Sequence, residues 1–385
     1  MIYADNAATT KISELALVKM LPFLQEQYGN ASSQYSLGIS AKQAITQARQ
    51  RIADVIGAEP TEIIFTSGGS EANSWVLRGV ADVFREEKIH IITTSIEHRS
   101  ILNTCSMLES RDVEVTYLPP GNDGIVCIES LKSAIRPNTK LVSIMLANNE
   151  IGTIQPIGEI GMFLRENGIW LHTDAVQAIG HIPVNVDSLH IDFLSASAHK
   201  FNGAKGTGFL YKRTGIDLPT LIFGGNQEQG IRAGTENVAG IVALGYALEE
   251  SASNMFFESE KQKAFVVTTI EGLRKTIPNI RINVENSQRL PGIVSISFPY
   301  VSGESIAHIL NSRGICVSTG SACNSGKDYT SHVLLAIGLS EQEVRSSIRI
   351  SYGRYNTLEE VNEIVKAITN VYNKILSLNF LNREC

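Results

Sequence analysis

The sequence predicts an α/β protein with one large, mainly parallel seven-stranded sheet domain and a smaller α+β domain. Two observations carry this. Between about residues 40 and 250, short β-branched runs alternate with stretches of helical periodicity, the pattern of βαβ units; beyond them the strands shorten and polar, helix-favouring segments intervene. The 385 residues also exceed the roughly 100–200 that one domain usually takes, so two packed units suit the length.

In chain order, Ser40 is placed to cap a helix whose apolar positions Ile45, Ala48, Ile52, Val55 and Ile56 share one face, and Gly57 to end it. Strands are predicted at 63–66, 90–94, 113–118, 141–146, 170–173, 192–195 and 208–211, which make the large sheet. Helical sequence fills 237–251 and 258–276. Shorter strands follow at 280–284, 293–298, 315–318 and 348–352, with a helix from Glu304 and a closing helix from Leu358.

Composition narrows the function. The chain is 43% hydrophobic and balances 33 basic against 39 acidic side chains, a net charge of −6. That excludes the basic surface expected of a nucleic-acid or membrane-surface binder. No apolar run approaches the roughly 18–20 residues of a membrane span, and the opening MIYADNAATTK lacks the pattern of a secretion signal, so a cytoplasmic protein is expected. The histidines show no paired metal spacing, and no metal is expected. Five cysteines, an odd count without CxxC spacing, fit neither a disulfide framework nor a zinc knuckle. Cys105, Cys127 and Cys316 have apolar neighbours and read as packing residues. Cys323 stands among small and polar residues, beside Lys327, as an accessible thiol able to act as a nucleophile.

Four segments carry candidate chemistry. TSGGSEAN, from Thr66 to Asn73, turns from a strand into a helix through two glycines; Ser67 and Ser70 add hydroxyls, and the helix N-terminus favours an anion such as a phosphate monoester. It has neither the P-loop ending nor the GxGxxG spacing. SASAHKFNGAKGTG places Lys200 directly after a strand among small residues, where a desolvated lysine can form a Schiff base with an aldehyde. Asp174, ending the strand in WLHTDAVQA, is the carboxylate that a pyridinium nitrogen requires. His98, in SIEHRS, follows another strand at the end where open parallel sheets bind ligands, and can move protons near neutral pH.

Together with NNEIG (148–152), GGNQEQGIRAGTEN (224–237), GSAC (320–323) and SSIRISYGR (346–354), these motifs resemble the cysteine desulfurases, class V aminotransferase relatives of the fold-type I pyridoxal-phosphate enzymes. The resemblance spans essentially the whole chain. It implies a large cofactor domain over residues 12–255 and a small domain, from 1–11 and 256–385, that carries the cysteine loop. By position, Lys200 resembles the lysine that holds pyridoxal 5'-phosphate, Asp174 the partner of its ring nitrogen, Gln177 that of its ring hydroxyl, and His98 the residue that stacks on the ring and assists proton transfer. Gly69, Ser70, Ser197 and His199 match the phosphate cup. Thr235 matches a residue that reaches the phosphate of a neighbouring subunit, implying a homodimer. Asn149 and Arg349 match the groups that hold the substrate carboxylate. The implied reaction converts L-cysteine to L-alanine and leaves sulfur on Cys323 as a persulfide, which passes to a scaffold or carrier protein for iron-sulfur cluster, thio-cofactor or tRNA biosynthesis. Selenocysteine lyase and another fold-type I aminotransferase are the alternatives. A non-catalytic assembly subunit is disfavoured, because lysine, aspartate, histidine, arginine and loop cysteine are all present. Ser70 stands where many relatives have threonine, and the tail ILSLNFLNREC, ending in Cys385, does not match a scaffold-docking tail.

Overall fold

A computed structural model describes residues 1–319 and 330–381 of the chain. The first half runs β1 (Ile2–Tyr3), α1 (Glu14–Met20), α2 (Pro22–Gln25), α3 (Ser36–Ile56), β2 (Ile63–Thr66), α4 (Gly69–Val83), β3 (His90–Thr94), α5 (Arg99–Glu109), β4 (Glu114–Leu118), α6 (Ile128–Ala134), β5 (Thr139–Ser143), α7 (Ile157–Glu166), β6 (Trp170–Asp174), β7 (Phe193–Ser197) and β8 (Gly208–Lys212). The second half runs α8 (Val238–Thr276), β9 (Arg281–Ile282), β10 (Ile293–Ser297), α9 (Gly303–Ser312), β11 (Ile315–Cys316), α10 (His332–Ala336), α11 (Glu341–Arg345), β12 (Ser347–Ser351) and α12 (Leu358–Leu381).

Seven strands form one sheet in the order β2-β8-β7-β6-β5-β3-β4. Only β8 runs against its neighbours. Most of its strands are buried along their length, β2, β3 and β7 at every residue, because helices cover both faces of the sheet; this is why their sequences read as near-continuous β-branched runs. The fold class predicted from the sequence is the one observed. Strand edges differ by a few residues: the run predicted at 141–146 leaves the sheet after Ser143, although Ile144 and Leu146 still donate to His172 and Asp174 carbonyls.

Helix α3 begins four residues before the predicted cap, at Ser36 after an extended Tyr35, and Ser40 lies inside it, donating instead to Gln27 Oε1. A serine is tolerated one turn into a helix when its hydroxyl finds a side-chain partner, so local capping preference lost to that contact. The predicted end holds: Gly57 adopts φ 68°, the left-handed conformation that costs other residues strain.

A second apolar core gathers Ile2 and Ala4, the C-terminal half of α8, the antiparallel sheet β12-β10-β9, and the inner faces of α9 and α12. The N-terminal half of α8 buries Ile241, Ala243, Leu244, Ala247 and Leu248 in the core of the large sheet domain, packed against α1 and α3, while Phe265, Val266, Ile270 and Leu273 bury in the second core. One 39-residue helix therefore ties the cores together and sets β12 beside the C-terminal ends of the parallel strands. Of the cysteines, Cys105 is buried as predicted, but Cys127 is exposed, because it stands at the N-terminus of α6 with its Sγ turned to Glu129. No described helix is long and apolar enough to cross a membrane.

Candidate active site at the strand ends

A cavity of about 520 Å³ opens at the C-terminal ends of β2, β3, β5, β6 and β7, where ligands bind in open α/β sheets. Its lining includes Gly69, Ser70, His98, Asn149, Asp174, Gln177, Ser197, His199, Lys200 and Arg349. Every predicted site residue is thus brought to one place except two. Thr235 is exposed and away from this lining, and Cys323 lies outside the described residues, as do Lys327 and Cys385.

The floor is built by short loops off buried strands. After β2, Gly68 has φ 151° and α4 begins at Gly69; the first amides of a helix have no intrahelical acceptor and attract anions. The approach is tight: a Cβ at Gly69 would lie 2.4 Å from Val176 Cγ2, and one at Gly208 would lie 2.6 Å from Gly68 Cα. Glycines at 69 and 208 therefore let α4 start directly against β8 and the loop after β6. Glu71 closes the outer side, pairing with Arg232 and accepting from the Ser67 amide; these bonds hold its carboxyl below the usual range despite burial.

Lys200 follows β7 and donates from Nζ to the carbonyls of Ala7 (2.6 Å) and Ala8 (2.7 Å). Ala7 also accepts from Gln177 Nε2 at 2.9 Å, so the segment after β1 forms a wall of carbonyls that orients both side chains. Asp174 is buried, its Oδ1 accepting from the Val176 amide (3.0 Å) and its Oδ2 from Asn73 Nδ2 (2.6 Å). His199 meets Thr9 Oγ1 at 3.1 Å; burial, with Lys200 and Lys205 close by, lowers it to about 4, so the ring is neutral at physiological pH.

Arg349, on β12, is 4% exposed. It donates from one terminal nitrogen to the Asn149 carbonyl (2.7 Å) and from the other to Asp5 Oδ1 (2.6 Å), while its Nε is buried with no acceptor among the described residues. A guanidinium with an idle donor at a cavity wall is suited to a carboxylate ligand. An anion cup, a buried aspartate and a lysine around one cavity are likewise a donor set that fits a phosphorylated pyridine aldehyde. Asp5, Asn73, Ser100 and Glu150 were not singled out from the sequence. All four lie within the segments MIYADNAATTK, TSGGSEAN, SIEHRS and NNEIG, but nothing local marks their distant partners.

Two buried carboxyls stand behind His98. Glu97 Oε1 accepts from Thr94 Oγ1 (2.7 Å) and the Met145 amide (2.9 Å), and Oε2 has no partner among the described residues. Burial pushes Glu97 up to about 8 and Glu150, which accepts from Ser331 Oγ, up to about 7. Both hold a proton in the native state that the unfolded chain releases above the ordinary carboxylate pKa. Their stabilisation is complete at low pH and is lost as pH rises through 7 to 8. The buried histidines act oppositely: His172, pushed by burial to about 3, contributes stability that is lost on acidification and constant above its ordinary 6.5. Above about pH 6.5 the carboxyls therefore set the slope, up to about 1.4 kcal/mol per pH unit for each group. Urea unfolding should show stability falling from pH 6.5 to about 8 and levelling off above it, and Glu97→Gln, which keeps the acceptor and replaces the O–H, should flatten that fall; an unchanged slope would refute the buried proton.

The family model for aminotransferase class-V matches residues 2–364. Among curated relatives, cysteine desulfurase IscS of Methanosarcina thermophila is 47% identical over 378 residues, covering 98% of this chain and 93% of its own length. Cysteine desulfurase IscS of Dictyoglomus turgidum is 45% identical and covers 100% of this chain and 97% of its own. A solved NifS-like protein superposes with a TM-score of 0.91 at 38% identity, covering 98% of this chain and 99% of its own. SspA, solved in complex with cysteine, gives 0.83 at 40%, covering 93% and 100%.

Proposed function

Since the chain belongs to the class-V aminotransferase family, and within it to the cysteine desulfurases, we propose that it holds pyridoxal 5'-phosphate in the cavity at the strand ends and moves sulfur from L-cysteine through Cys323 to an acceptor protein. The observation that carries this is the convergence of Lys200, Asp174, His98 and Arg349 on one cavity with a glycine-rich helix N-terminus.

Gly69, Ser70, Ser197 and His199 are the residues to hold the phosphate, Asp174 the ring nitrogen, and Gln177, through Oε1, the ring hydroxyl. When bound, the cofactor supplies an electron sink that lets bonds at the substrate Cα and Cβ break. Lys200 is the covalent anchor and, once displaced by substrate, an amine able to carry a proton. His98, kept uncharged by burial and by the nearby Lys200 and Arg99 against the pull of Asp174, can exchange a proton with the substrate. Asn149 and Arg349 bind the carboxylate, which fixes the orientation of the substrate thiol. Cys323 then receives the sulfur atom as a persulfide and alanine leaves.

The homodimer is part of the same reading. Thr235 is exposed and does not line its own cavity, and the segment leading to it carries Phe223 at 86% exposure. Such a segment suits a partner subunit's site. The acceptor is a scaffold or carrier protein, and a reducing cytoplasm keeps the thiol available.

Incubating the purified protein with L-cysteine should yield alanine, and alkylation followed by mass measurement should find one added sulfur on the peptide containing Cys323. The assay is repeated with Cys323→Ala. Alanine formation in wild type with no sulfur on that peptide, or full sulfide release by the variant, would sink the sulfur route.

A further inference from the structure

Two polar side chains, Ser100 and Asn73, connect His98 to Asp174 at the floor of the site. Asn73 Nδ2, at the first turns of α4, donates to Asp174 Oδ2 (2.6 Å) and to Ser100 Oγ (2.9 Å). Ser100 Oγ lies 2.8 Å from His98 Nδ1, and the Ser100 amide donates to that same nitrogen at 3.2 Å.

The direction of each bond follows from chemistry. A carboxylate only accepts, so the Asn73 amino group, not its carbonyl, faces Asp174, and its second hydrogen goes to Ser100. Ser100 Oγ is thereby an acceptor toward Asn73, leaving its own hydrogen for His98. The backbone amide of Ser100 cannot reverse at all. Two donors therefore converge on Nδ1, which must present its lone pair, and the ring proton sits on Nε2. We propose that Ser100, aimed by Asn73, is a positioning residue that holds His98 as the Nε2–H tautomer and opposes a proton on Nδ1. It rests on the reading of His98 as the proton-transfer group.

A protonated Nδ1 would meet the Ser100 N–H head on, so the imidazolium is disfavoured by geometry as well as by charge. The groups facing His98 come from each element around it. Asp174 at the end of β6 favours a charged ring, whereas Lys200 after β7 and Arg99 on α5 oppose one; His332 on α10, itself lowered by burial, is a neutral neighbour. The nitrogen left for exchange with a substrate is Nε2. The chain of bonds also couples His98 to the carboxylate assigned to the cofactor nitrogen, through neutral groups that carry no net charge between them.

Removing the hydroxyl takes away one hydrogen bond to the neutral ring, which raises the pH at which the ring protonates. In ¹⁵N spectra of histidine-labelled holoenzyme, with the His98 signal identified by its loss in His98→Gln, the wild-type ring should be Nε2–H at neutral pH. Ser100→Ala, which leaves the longer 3.2 Å backbone amide as the remaining donor to Nδ1, should raise the Nδ1–H share of the neutral ring and shift the acid limb of kcat/KM upward by about 0.5–1 pH unit; Ser100→Thr, which keeps a hydroxyl, should restore both. A wild-type ring found as Nδ1–H would overturn the proposal even if the alanine variant failed to fold. A Ser100→Ala enzyme with the wild-type tautomer and a superimposable pH profile would also overturn it. The tautomer is read independently of turnover, so failure of the desulfurase reading, seen as no alanine from cysteine, is distinguishable from failure here.

Discussion

Lys200→Ala is expected to lose at least about 10³-fold in kcat together with the borohydride-sensitive yellow colour of the cofactor. Lys200 follows β7 directly into the cavity beside His199, and its Nζ is positioned by two carbonyls, those of Ala7 and Ala8. The alanine variant leaves the cup formed by Gly69, Ser70 and Ser197 intact, so cofactor should still bind, more weakly and by non-covalent contacts alone. Lys200→Arg separates two explanations. Arginine can keep donors toward the two carbonyls but cannot form the covalent link at any working pH, so it should be as inactive as alanine if the covalent and proton-carrying roles matter. A Lys200→Ala protein that kept the borohydride-sensitive band, measured by visible absorbance before and after treatment, would remove Lys200 from the anchor role. Thermal unfolding should also fall for the variant, since weaker cofactor binding withdraws ligand stabilisation of the native state.

The second large effect is expected at Arg349. Truncating one member of a buried, hydrogen-bonded charge pair costs about 2–5 kcal/mol, roughly 30- to 5,000-fold in kcat/KM if that charge contacts substrate. Arg349→Ala should fall in this range with L-cysteine, mostly through KM. Arg349→Lys should recover little, because an ammonium cannot reproduce the fork that reaches Asp5 and the Asn149 carbonyl at once. Cysteamine, which lacks the carboxylate, is the control. Wild type and Arg349→Ala should handle it equally poorly if Arg349 acts on the carboxylate. An equal fold-loss with both amines would instead mean that the arginine matters for the fold around β12, where Asp5 is left without its cation.

Much of this site was legible in the sequence, for a local reason. The glycine pair before α4, Asp174 at the end of β6 and Lys200 after β7 each sit where a buried β-branched run stops, and the helix-strand alternation of the chain makes such stops visible. In a parallel sheet those stops share one edge, so reading them as parts of one site needed only the fold class. The helix start at Ser36 differs from the expected cap because the Ser40 hydroxyl finds Gln27, outside its own segment; Cys127 is exposed, despite apolar neighbours in sequence, because it stands at the N-terminus of α6 with its thiol turned outward to Glu129.

By itself the sequence determined the fold class, the apolar pattern that buries seven strands between helices, and the residue types capable of the chemistry, because periodicity and turn chemistry act over a few residues. Tertiary structure alone decided how those residues are held. Asp5 and Arg349, 344 positions apart, form one ion pair beside β12; Asn73 joins Ser100 to Asp174, 101 positions from its own. Glu97 and Glu150 keep protons only because packing removes water from them. Hydrogen-bond direction, charge pairing and desolvation depend on distances of a few ångströms between side chains, and those distances exist only once the sheet, the long helix α8 and the second core have brought remote segments together.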